Sequence, residues 1–406
     1  MEKIKIGVIR EGKVPPDKRV PLTPKQCKLL ETRYPNVELV VQPSPVRAYS
    51  DQAYLDEGVT MSEDLTSCDI ILGVKEVNVE DLIPEKKFMF FSHTIKKQPY
   101  NRDLLRAVMD KKIQLIDYEV LKNKSNKRVI GFGRYAGIVG CYNGLRAYGL
   151  KHNLYELKAA NQCVDRKEVE RELKKVQLPS DMKLVLTGYG RVGHGAREVL
   201  NLLPIKEVSP EEFITQNFDG PVYSQLDIED YYTRKDDGEF DKRHFYGSPQ
   251  EYRCTFSRYL SKADMYIACH YWSNKADYII TREDLKAPDV RLSVVADISC
   301  DIDCAVACTI RPSSISDPIY GYNPVSESED DYKKEGVIAV MAVDNLPCEL
   351  PLDASEDFGN ELLKEVFPAL LQEDKDDMIA RGSETTLDGT LTEHFAYLED
   401  YIAGKE

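Results

Sequence analysis

A glycine-rich turn directly behind an apolar run constrains the fold of this chain more than any other feature. Leu184–Thr187 has the composition of a buried strand, and the glycines Gly188, Gly190 and Gly193 follow it with G-x-G-x-x-G spacing. In dinucleotide-binding domains this spacing joins a strand to a helix whose N-terminus receives the pyrophosphate. The pattern therefore predicts a Rossmann-like domain with a nucleotide site at Gly188, Gly190, Arg191, Val192 and Gly193.

The coenzyme preference depends on the strand after the glycine turn. An acidic residue about 20 positions further on usually holds the adenosine ribose of NAD. The sequence predicts the relevant strand at Ile205–Val208, so that Ser209 takes this position. A serine argues against strict NAD selectivity, and no arginine stands ready for the 2′-phosphate of NADP. We therefore expect NAD or NADP as the cofactor, with the preference open.

Strand and helix patterns alternate along the chain, as is typical of parallel sheets covered by helices. Besides Leu184–Thr187, strands are predicted at Ile4–Val8, Val37–Val41, Asp69–Val74, Phe88–Ser92, Ile113–Tyr118, Val129–Gly133, Met265–Cys269, Leu292–Ile298 and Val337–Val343. Helices are predicted after the Thr23-Pro24 pair and at Arg102–Lys111, Tyr135–Leu150, Ser355–Leu371 and Lys375–Ala380. The predicted fold class is α/β, with two Rossmann-like domains, parallel sheets and an interdomain cleft.

The domain assignment follows from this order of elements. Residues 1–136 with 346–406 form the predicted N-terminal domain, because the C-terminal helices have no sheet of their own and are expected to pack back on the first one. Residues 137–345 form the predicted cofactor domain. Within it, 217–259 is rich in Tyr, Asp, Lys and Arg without a clear period, and is predicted to be an insertion.

Composition restricts the partners. The chain has 406 residues, 42% hydrophobic and 30% charged, which indicates soluble globular domains, and no apolar run reaches the about 20 residues of a membrane span. A net charge of −15 argues against nucleic acid or an anionic membrane as the main partner. The ten cysteines, Cys300, Cys304 and Cys308 among them, lack paired spacing and indicate reduced thiols without a metal site. No leader-like segment precedes the first strand, so we expect a cytoplasmic protein; the oligomeric state stays open.

Charged residues at the predicted strand ends of the N-terminal domain are the candidates for chemistry. Lys75, His93 and Glu119 each end a predicted strand, and Arg19 lies in a loop. Because the C-terminal ends of parallel strands form the ligand-binding crevice, we expect the first three to face a common mouth. A lysine and a histidine together can transfer protons near neutral pH, since the pKa of a lysine falls when it is buried or close to other cations.

These residues lie in motifs through which the chain resembles the lysine-forming saccharopine dehydrogenase and lysine–ketoglutarate reductase family, a branch of the alanine dehydrogenase superfamily. The motifs extend over nearly the whole chain, at Lys18–Pro24, Ile71–Lys75, Phe90–Lys96, Leu115–Glu119, Asp297–Ser299 and Val343–Pro347. The resemblance is strongest to the reductase part of the bifunctional lysine-degrading enzymes and includes the Tyr-rich stretch around His244–Tyr259. Their second dehydrogenase domain has no counterpart in this sequence, so we expect another protein to perform the downstream step.

The resemblance implies a reversible reaction in which saccharopine, NAD(P)+ and water give lysine, 2-oxoglutarate and NAD(P)H. It implies that Lys75 takes the proton of the substrate amine, and that His93 serves as acid and base when water adds to the imine and the carbinolamine collapses. Glu119 is implied to tune the neighbouring Lys75. Cations for the three carboxylates of saccharopine are implied at Arg19, Lys96 and Arg128.

Two alternatives stay open at this point. The first is oxidative deamination of a simple amino acid such as alanine, which uses a similar Lys/His pair, although the three cations favour a larger and more anionic substrate. The second is a non-catalytic NAD(P)-sensing protein, against which the intact Lys75 and His93 argue. In the cofactor domain, Asp297 and Asp344 fall in the matching motifs and are candidates for cofactor contacts, with a hydrogen-bonding or capping role as the alternative.

Overall fold

The computed structural model describes residues 3–405 and divides the chain into two compact units. The first unit extends to Phe132 and resumes at Pro351, and the second comprises Gly133–Leu350. Each unit is built on a sheet covered by helices, which confirms the α/β fold class. The interdomain cleft stays a prediction.

The first unit begins with a six-stranded parallel sheet in the order β3-β2-β1-β4-β5-β6. Its elements up to Phe132 are β1 (Ile4–Val8), α1 (Pro24–Arg33), β2 (Val37–Val41), α2 (Asp51–Asp56), β3 (Thr60–Met61), β4 (Ile70–Leu72), β5 (Lys87–Phe90), α3 (Arg102–Asp110) and β6 (Gln114–Asp117). The predicted start of α1 is confirmed, because Thr23 caps the helix and forms a reciprocal capping box with Gln26, while Pro24 takes the first helical position.

The second unit contains an eight-stranded sheet in the order β15-β14-β16-β13-β12-β7-β9-β8 and a separate pair, β10-β11. Its helices are α4 (Gly133–His152), α5 (Arg166–Leu173), α6 (Arg191–Leu200), α7 (Pro210–Thr215), α8 (Lys242–Gly247), α9 (Ser257–Leu260) and α10 (Arg282–Leu285). Its strands are β7 (Lys183–Thr187), β8 (Lys206–Glu207), β9 (Val222–Leu226), β10 (Tyr232–Arg234), β11 (Tyr252–Cys254), β12 (Met265–Ala268), β13 (Val294–Asp297), β14 (Ile319–Asn323), β15 (Ser328–Asp330) and β16 (Ile338–Met341). This sheet is mostly parallel and becomes antiparallel at one edge, where β14 runs antiparallel to both β16 and β15.

Strand β9 corrects the predicted insertion at 217–259. All five residues of Val222–Leu226 are buried, and the strand lies between β7 and β8 in the main sheet. The excursion from the sheet therefore begins only after Leu226. It contains β10, α8 and β11, whose aromatic side chains pack in the same hydrophobic cluster as the sheet, among them Tyr232, Phe245 and Tyr252. Burial of these rings accounts for the tyrosine-rich composition.

Glycines let α4 lie directly against α6. A Cβ on Gly137 would stand 1.9 Å from the carbonyl oxygen of Val192, and one on Gly195 would stand 1.9 Å from that of Arg134. Any side chain at either position would push the two helices apart. Helix α4 is thus in backbone contact with α6, the helix that follows the glycine turn.

The C-terminal segment returns to the first unit, as predicted. It consists of α11 (Pro351–Glu361), a π-helical turn (Leu362–Val366), α12 (Phe367–Leu371), α13 (Met378–Arg381) and α14 (Glu399–Ala403). Phe358, Leu362 and Phe367 are fully buried in one hydrophobic cluster with strand residues such as Ile6 and Leu39. This segment supplies a face that covers the first sheet.

The strand predicted at Val129–Gly133 is wrong. Val129 donates to the carbonyl of Leu121, Gly131 donates to the carboxylate of Glu361, and α4 begins at Gly133. Val129 and Ile130 are buried and Phe132 is partly buried without joining a sheet, so the apolar composition of this stretch reflects packing. No helix within residues 3–405 has the length and apolar composition that crossing a membrane requires.

Candidate functional site

In the first unit, the residues predicted for chemistry follow the ends of three adjacent strands. Lys75 follows β4, His93 follows β5 and Glu119 follows β6, each after an irregular residue or two, because the strands are shorter than predicted. These strands are hydrogen-bonded neighbours in one parallel sheet, so the three side chains start from the same edge.

Lys75 is partly buried and is surrounded by charged groups. Glu11, which follows β1, accepts the backbone N–H groups of Val74 at 2.7 Å and Lys75 at 2.9 Å. Burial raises the pKa of Glu11 to about 7, and burial together with the positive charge of Arg19 lowers the pKa of Lys75 below 10.5. A lowered pKa increases the fraction of neutral lysine near pH 7, which is what a general base requires.

Arg19 is held by a carboxylate of its own chain. Its Nε and Nη2 donate to the two oxygens of Asp17 at 3.0 and 2.6 Å, and its guanidinium lies 4.2 Å above the ring of Phe132. Only 4% of Arg19 is exposed. This bidentate pair fixes a positive charge close to Lys75, so in the structure Arg19 acts on Lys75, and its predicted pairing with a substrate carboxylate stays a prediction.

His93 is oriented by Glu76. Its Nδ1 lies 2.6 Å from one oxygen of Glu76, and Lys13 donates to the other oxygen at 2.7 Å. Burial opposes ionisation of Glu76, yet the hydrogen bonds from His93 and Lys13 lower its pKa to about 2. Because an ionised carboxylate can only accept, Nδ1 carries the proton and Nε2 is left as the basic nitrogen.

Glu119 forms a second group with two of the predicted cations. Arg128 donates to one of its oxygens at 3.0 Å, and the Nζ of Lys96 lies 3.8 Å from the other. The side chains of Lys96 and Arg128 are 49% and 43% exposed. The carboxylates whose charges act on Lys75 are Glu76 and Asp17, so the role of Glu119 in tuning that lysine stays a prediction.

Sequence reasoning missed Glu11, Asp17 and Glu76. Glu76 directly follows Lys75, and Glu11 follows β1 in the same way that Lys75 follows β4. Both would have been found by searching for charged residues after β1 as well, and at the position directly after Lys75. Asp17 gives no such signal, because its importance depends on its pairing with Arg19 within one loop.

In the second unit, the glycine turn has the shape that a dinucleotide needs. Gly188 has φ +92°, and a Cβ there would stand 2.4 Å from the carbonyl oxygen of Cys269. A Cβ on Gly193 would stand 2.0 Å from the carbonyl of Gly188, whereas one on Gly190 would meet no atom within 4 Å. Gly190 caps α6 without a side chain, so the N–H groups of Arg191 and Val192 begin the helix next to open space. The residues present therefore fit a pyrophosphate.

The ribose position predicted at Ser209 is wrong. Ser209 caps α7 in a capping box with Glu212 and follows the edge strand β8. The strand next to β7 is β9, and the residue after it is Asp227. Asp227 is paired with Lys242 of α8 at 2.7 Å and retains 28% side-chain exposure. An acidic residue therefore follows the strand next to β7, further along the chain than the usual spacing suggests.

The other predicted cofactor residues differ in environment. Asp297 ends β13 fully buried, and its oxygens accept from Ser299, Cys300 and Thr309 of its own loop. Asp344 is exposed between β16 and a 3-10 turn. Their roles toward a cofactor stay predictions, and the bonding of Asp297 supports its structural alternative.

His270 is a further polar group near the glycine turn. It follows β12 beside Gly188, and its Nδ1 lies 3.2 Å from the hydroxyl of Thr187 and 3.1 Å from that of Tyr266. Burial lowers the pKa of His270 to about 4, so the ring is neutral. Its buried Nε2 has no hydrogen-bond partner within residues 3–405 and is a candidate contact for a bound cofactor.

Comparison with known proteins shows which proteins this chain is similar to. Residues 7–139 match the family model of the alanine dehydrogenase/PNT N-terminal domain. The chain is 31% identical over 401 residues to alpha-aminoadipic semialdehyde synthase of Arabidopsis thaliana, and 29% identical over 442 residues to the mitochondrial alpha-aminoadipic semialdehyde synthase of Mus musculus. These matches cover 88% and 96% of this chain but only 37% and 47% of the two relatives, so the chain spans less than half of their length.

A third relative has a similar length. The chain is 28% identical over 389 residues to the saccharopine dehydrogenase [NAD(+), L-lysine-forming] of Emericella nidulans, with 90% of this chain and 91% of that protein covered. Among solved structures, an L-alanine dehydrogenase superposes with a TM-score of 0.66 at 16% identity, covering 99% of this chain and 100% of the other. The structural match shows the fold, two Rossmann-like units in one chain.

Proposed function

We propose that the chain belongs to the family of lysine-forming saccharopine dehydrogenases and alpha-aminoadipic semialdehyde synthases within the alanine dehydrogenase superfamily, and that it interconverts saccharopine with lysine and 2-oxoglutarate. In the oxidative direction, saccharopine, NAD+ and water give lysine, 2-oxoglutarate, NADH and a proton. The observation that carries this proposal is the pairing of a deprotonation-prone lysine, Lys75, with an oriented histidine, His93, at adjacent strand ends.

Two proton-transfer groups match the two halves of such a reaction. The neutral Nζ of Lys75 takes the proton from the secondary amine of saccharopine, so that the nitrogen lone pair can form the carbon–nitrogen double bond. NAD+, when bound, accepts two electrons and one hydrogen from the adjacent carbon. The Nε2 of His93 takes a proton from the water that adds to the imine carbon, and returns one as the carbinolamine collapses to amine and ketone. General acid–base catalysis of this kind contributes about 10²- to 10⁴-fold in rate.

The substrate's carboxylates need fixed cations. Lys96 and Arg128 are about half-exposed and share the carboxylate of Glu119, which holds them near each other without burying them. Two cations around one carboxylate leave net positive charge for an anionic substrate. This charge favours saccharopine over alanine, which carries a single carboxylate.

We further propose NAD as the coenzyme. Asp227 follows the strand adjacent to the one before the glycine turn, where a carboxylate accepts the hydroxyls of the adenosine ribose. The same carboxylate repels the 2′-phosphate of NADP. The cytoplasmic location and the lack of a nucleic-acid partner rest on composition alone and form part of the same proposal.

The test is the initial rate of NADH and NADPH oxidation by the purified protein with lysine plus 2-oxoglutarate. Oxidation of NADH that requires both substrates is expected. The matched control is pyruvate plus ammonia under the same conditions. Turnover in that control alone would assign the chain to alanine-type deamination. Cofactor binding without turnover in either mixture would contradict the enzymatic assignment and favour nucleotide sensing.

A further inference from the structure

A closed network of two carboxyl groups and two hydroxyls lies under the turn that carries His93. The hydroxyl of Ser92 lies 2.5 Å from Asp117 and 2.6 Å from the hydroxyl of Thr94, which in turn lies 2.6 Å from Glu384. None of these four side chains is exposed to solvent. The proposed chemistry uses neither carboxyl group, so their burial together requires another explanation.

The number of hydrogens in the network shows that one carboxyl group is a neutral acid. Three oxygen–oxygen contacts of 2.5 to 2.6 Å each need a hydrogen between them. The hydroxyls of Ser92 and Thr94 supply only two, so the third comes from a carboxyl group. The relay then runs from Glu384 through Thr94 and Ser92 to Asp117.

The surroundings of the two carboxyl groups assign the proton to Glu384. Asp117 also accepts the backbone N–H of Ser92 at 3.2 Å and that of Glu119 at 2.6 Å, as an ionised carboxylate does. The carboxyl of Glu384 receives no backbone N–H from residues 3–405; it contacts the two hydroxyls and the carboxylate of Asp117. Burial raises the pKa of Glu384 well above its ordinary value, and the charge of Asp117 raises it further.

This network holds the residues on both sides of His93. His93 itself has φ +56°, a left-handed conformation that is uncommon for residues other than glycine and that surrounding contacts can stabilise. Ser92 and Thr94 are its sequence neighbours, and the N–H of Thr94 also donates to the hydroxyl of Ser92 at 3.2 Å. Glu384 is fixed in turn, because its N–H donates to the carbonyl of Leu115 in β6 at 2.8 Å.

We propose that Glu384, as a neutral carboxylic acid, is a positioning residue that holds the left-handed turn at His93 and thereby presents the imidazole to Glu76. The C-terminal segment thus takes part in preparing the acid/base group, although it contributes no group to the chemistry. The proposal rests on the proposed function only in treating His93 as an acid/base residue.

Two substitutions at one position separate positioning from general stability. In Glu384→Gln, the amide still donates one hydrogen and accepts another, and it cannot ionise, so kcat is expected to stay within about 3-fold of wild type. Glu384→Ala removes both contacts with the hydroxyls, and kcat is expected to fall about 100-fold with KM for lysine nearly unchanged, because the imidazole moves while the substrate contacts remain. Glu393→Ala replaces an exposed glutamate of the same segment and serves as the control for the loss of a glutamate outside the network.

A second readout does not depend on turnover. In protein with labelled histidine, the ring signals of His93, assigned with His93→Gln, are expected to shift in Glu384→Ala and to stay in place in Glu384→Gln. Should Glu384→Ala fail to fold, Thr94→Val interrupts the same relay and is expected to give the same two effects.

The outcomes are distinguishable. Unchanged kcat and unchanged His93 signals in Glu384→Ala would overturn the inference, and equal loss of kcat in the Gln and Ala variants would overturn the role of the neutral acid. If wild type does not turn over lysine and 2-oxoglutarate, the proposed function fails, whereas a His93 shift in Glu384→Ala alone would still support the positioning role.

Discussion

Replacing Asp227 by alanine removes the acceptor that we assign to the adenosine ribose. A hydrogen bond to a charged group contributes about 1.5–3 kcal/mol, which corresponds to a rise of about 10- to 150-fold in KM for NADH. The same change frees Lys242, now 2.7 Å from Asp227 and 51% exposed, to attract a 2′-phosphate. An exposed ion pair adds at most about 1 kcal/mol, so the gain for NADPH is a few-fold.

Together the two effects are expected to lower the ratio of kcat/KM for NADH to that for NADPH about 100-fold. The assay is the initial rate of coenzyme oxidation at saturating lysine and 2-oxoglutarate, with NADH or NADPH varied. Glu229→Gln, in the exposed turn next to Asp227, makes the same change in net charge and should leave the ratio unaltered. A wild-type ratio in Asp227→Ala would refute the assignment of β9 as the ribose strand.

Three further changes test other parts of the account. Lys75→Met should lower the rate of saccharopine oxidation about 10²- to 10⁴-fold without altering NADH affinity. In wild type this rate is expected to rise with pH below pH 10.5, because burial and the charge of Arg19 lower the pKa of Lys75. The variant should lose this rise. Gly190→Ala should leave the melting temperature unchanged, since its Cβ meets no atom within 4 Å, while fluorescence titration shows NADH binding weakened at least about 10-fold. Burial raises the pKa of Glu349 from 4.5 to about 7. The contribution of this group to the free energy of unfolding is therefore fully present below pH 4.5 and falls by about 3 kcal/mol as the pH rises to 7. Glu349→Gln keeps the acceptor for Asn143 and should remove that fall, as measured by calorimetric unfolding at pH 5 and pH 8.

The parts of the fold that follow from local pattern were predictable from the sequence. The G-x-G-x-x-G turn needs a strand before it and a helix after it, so Leu184–Thr187 and the start of α6 were fixed by residues close in sequence. The capped start of α1 at Thr23 is local in the same way. The return of the C-terminal helices to the first sheet followed from the lack of any other sheet for them to cover.

The ribose residue was not predictable by spacing, because spacing along the chain does not determine strand order. An edge strand, β8, and helix α7 come between the glycine turn and β9, so the strand that pairs with β7 lies later than a count of residues suggests. Val222–Leu226 offered a weak signal, with one β-branched residue, Val222, and one aromatic residue, Tyr223, before Asp227, but the charged residues after it obscured the strand.

The electrostatics of the site depend on side-chain contacts, both within one loop and between distant segments. Arg19 had the residue type expected for a substrate cation, yet in the structure Asp17 holds it. The charge of Arg19 lowers the pKa of Lys75. The network of Glu384 joins residues almost 300 positions apart, from Ser92 to the C-terminal segment. No periodicity in the sequence encodes such a contact.

The most direct measurement of the proposed reaction is mass spectrometry of the product formed from lysine labelled with ¹⁵N at the ε-nitrogen, 2-oxoglutarate and NADH. The account predicts one product that contains both carbon skeletons and retains the ¹⁵N, formed in equal amount to the NADH consumed. Release of labelled ammonia, or NADH oxidation without a joined product, would contradict it.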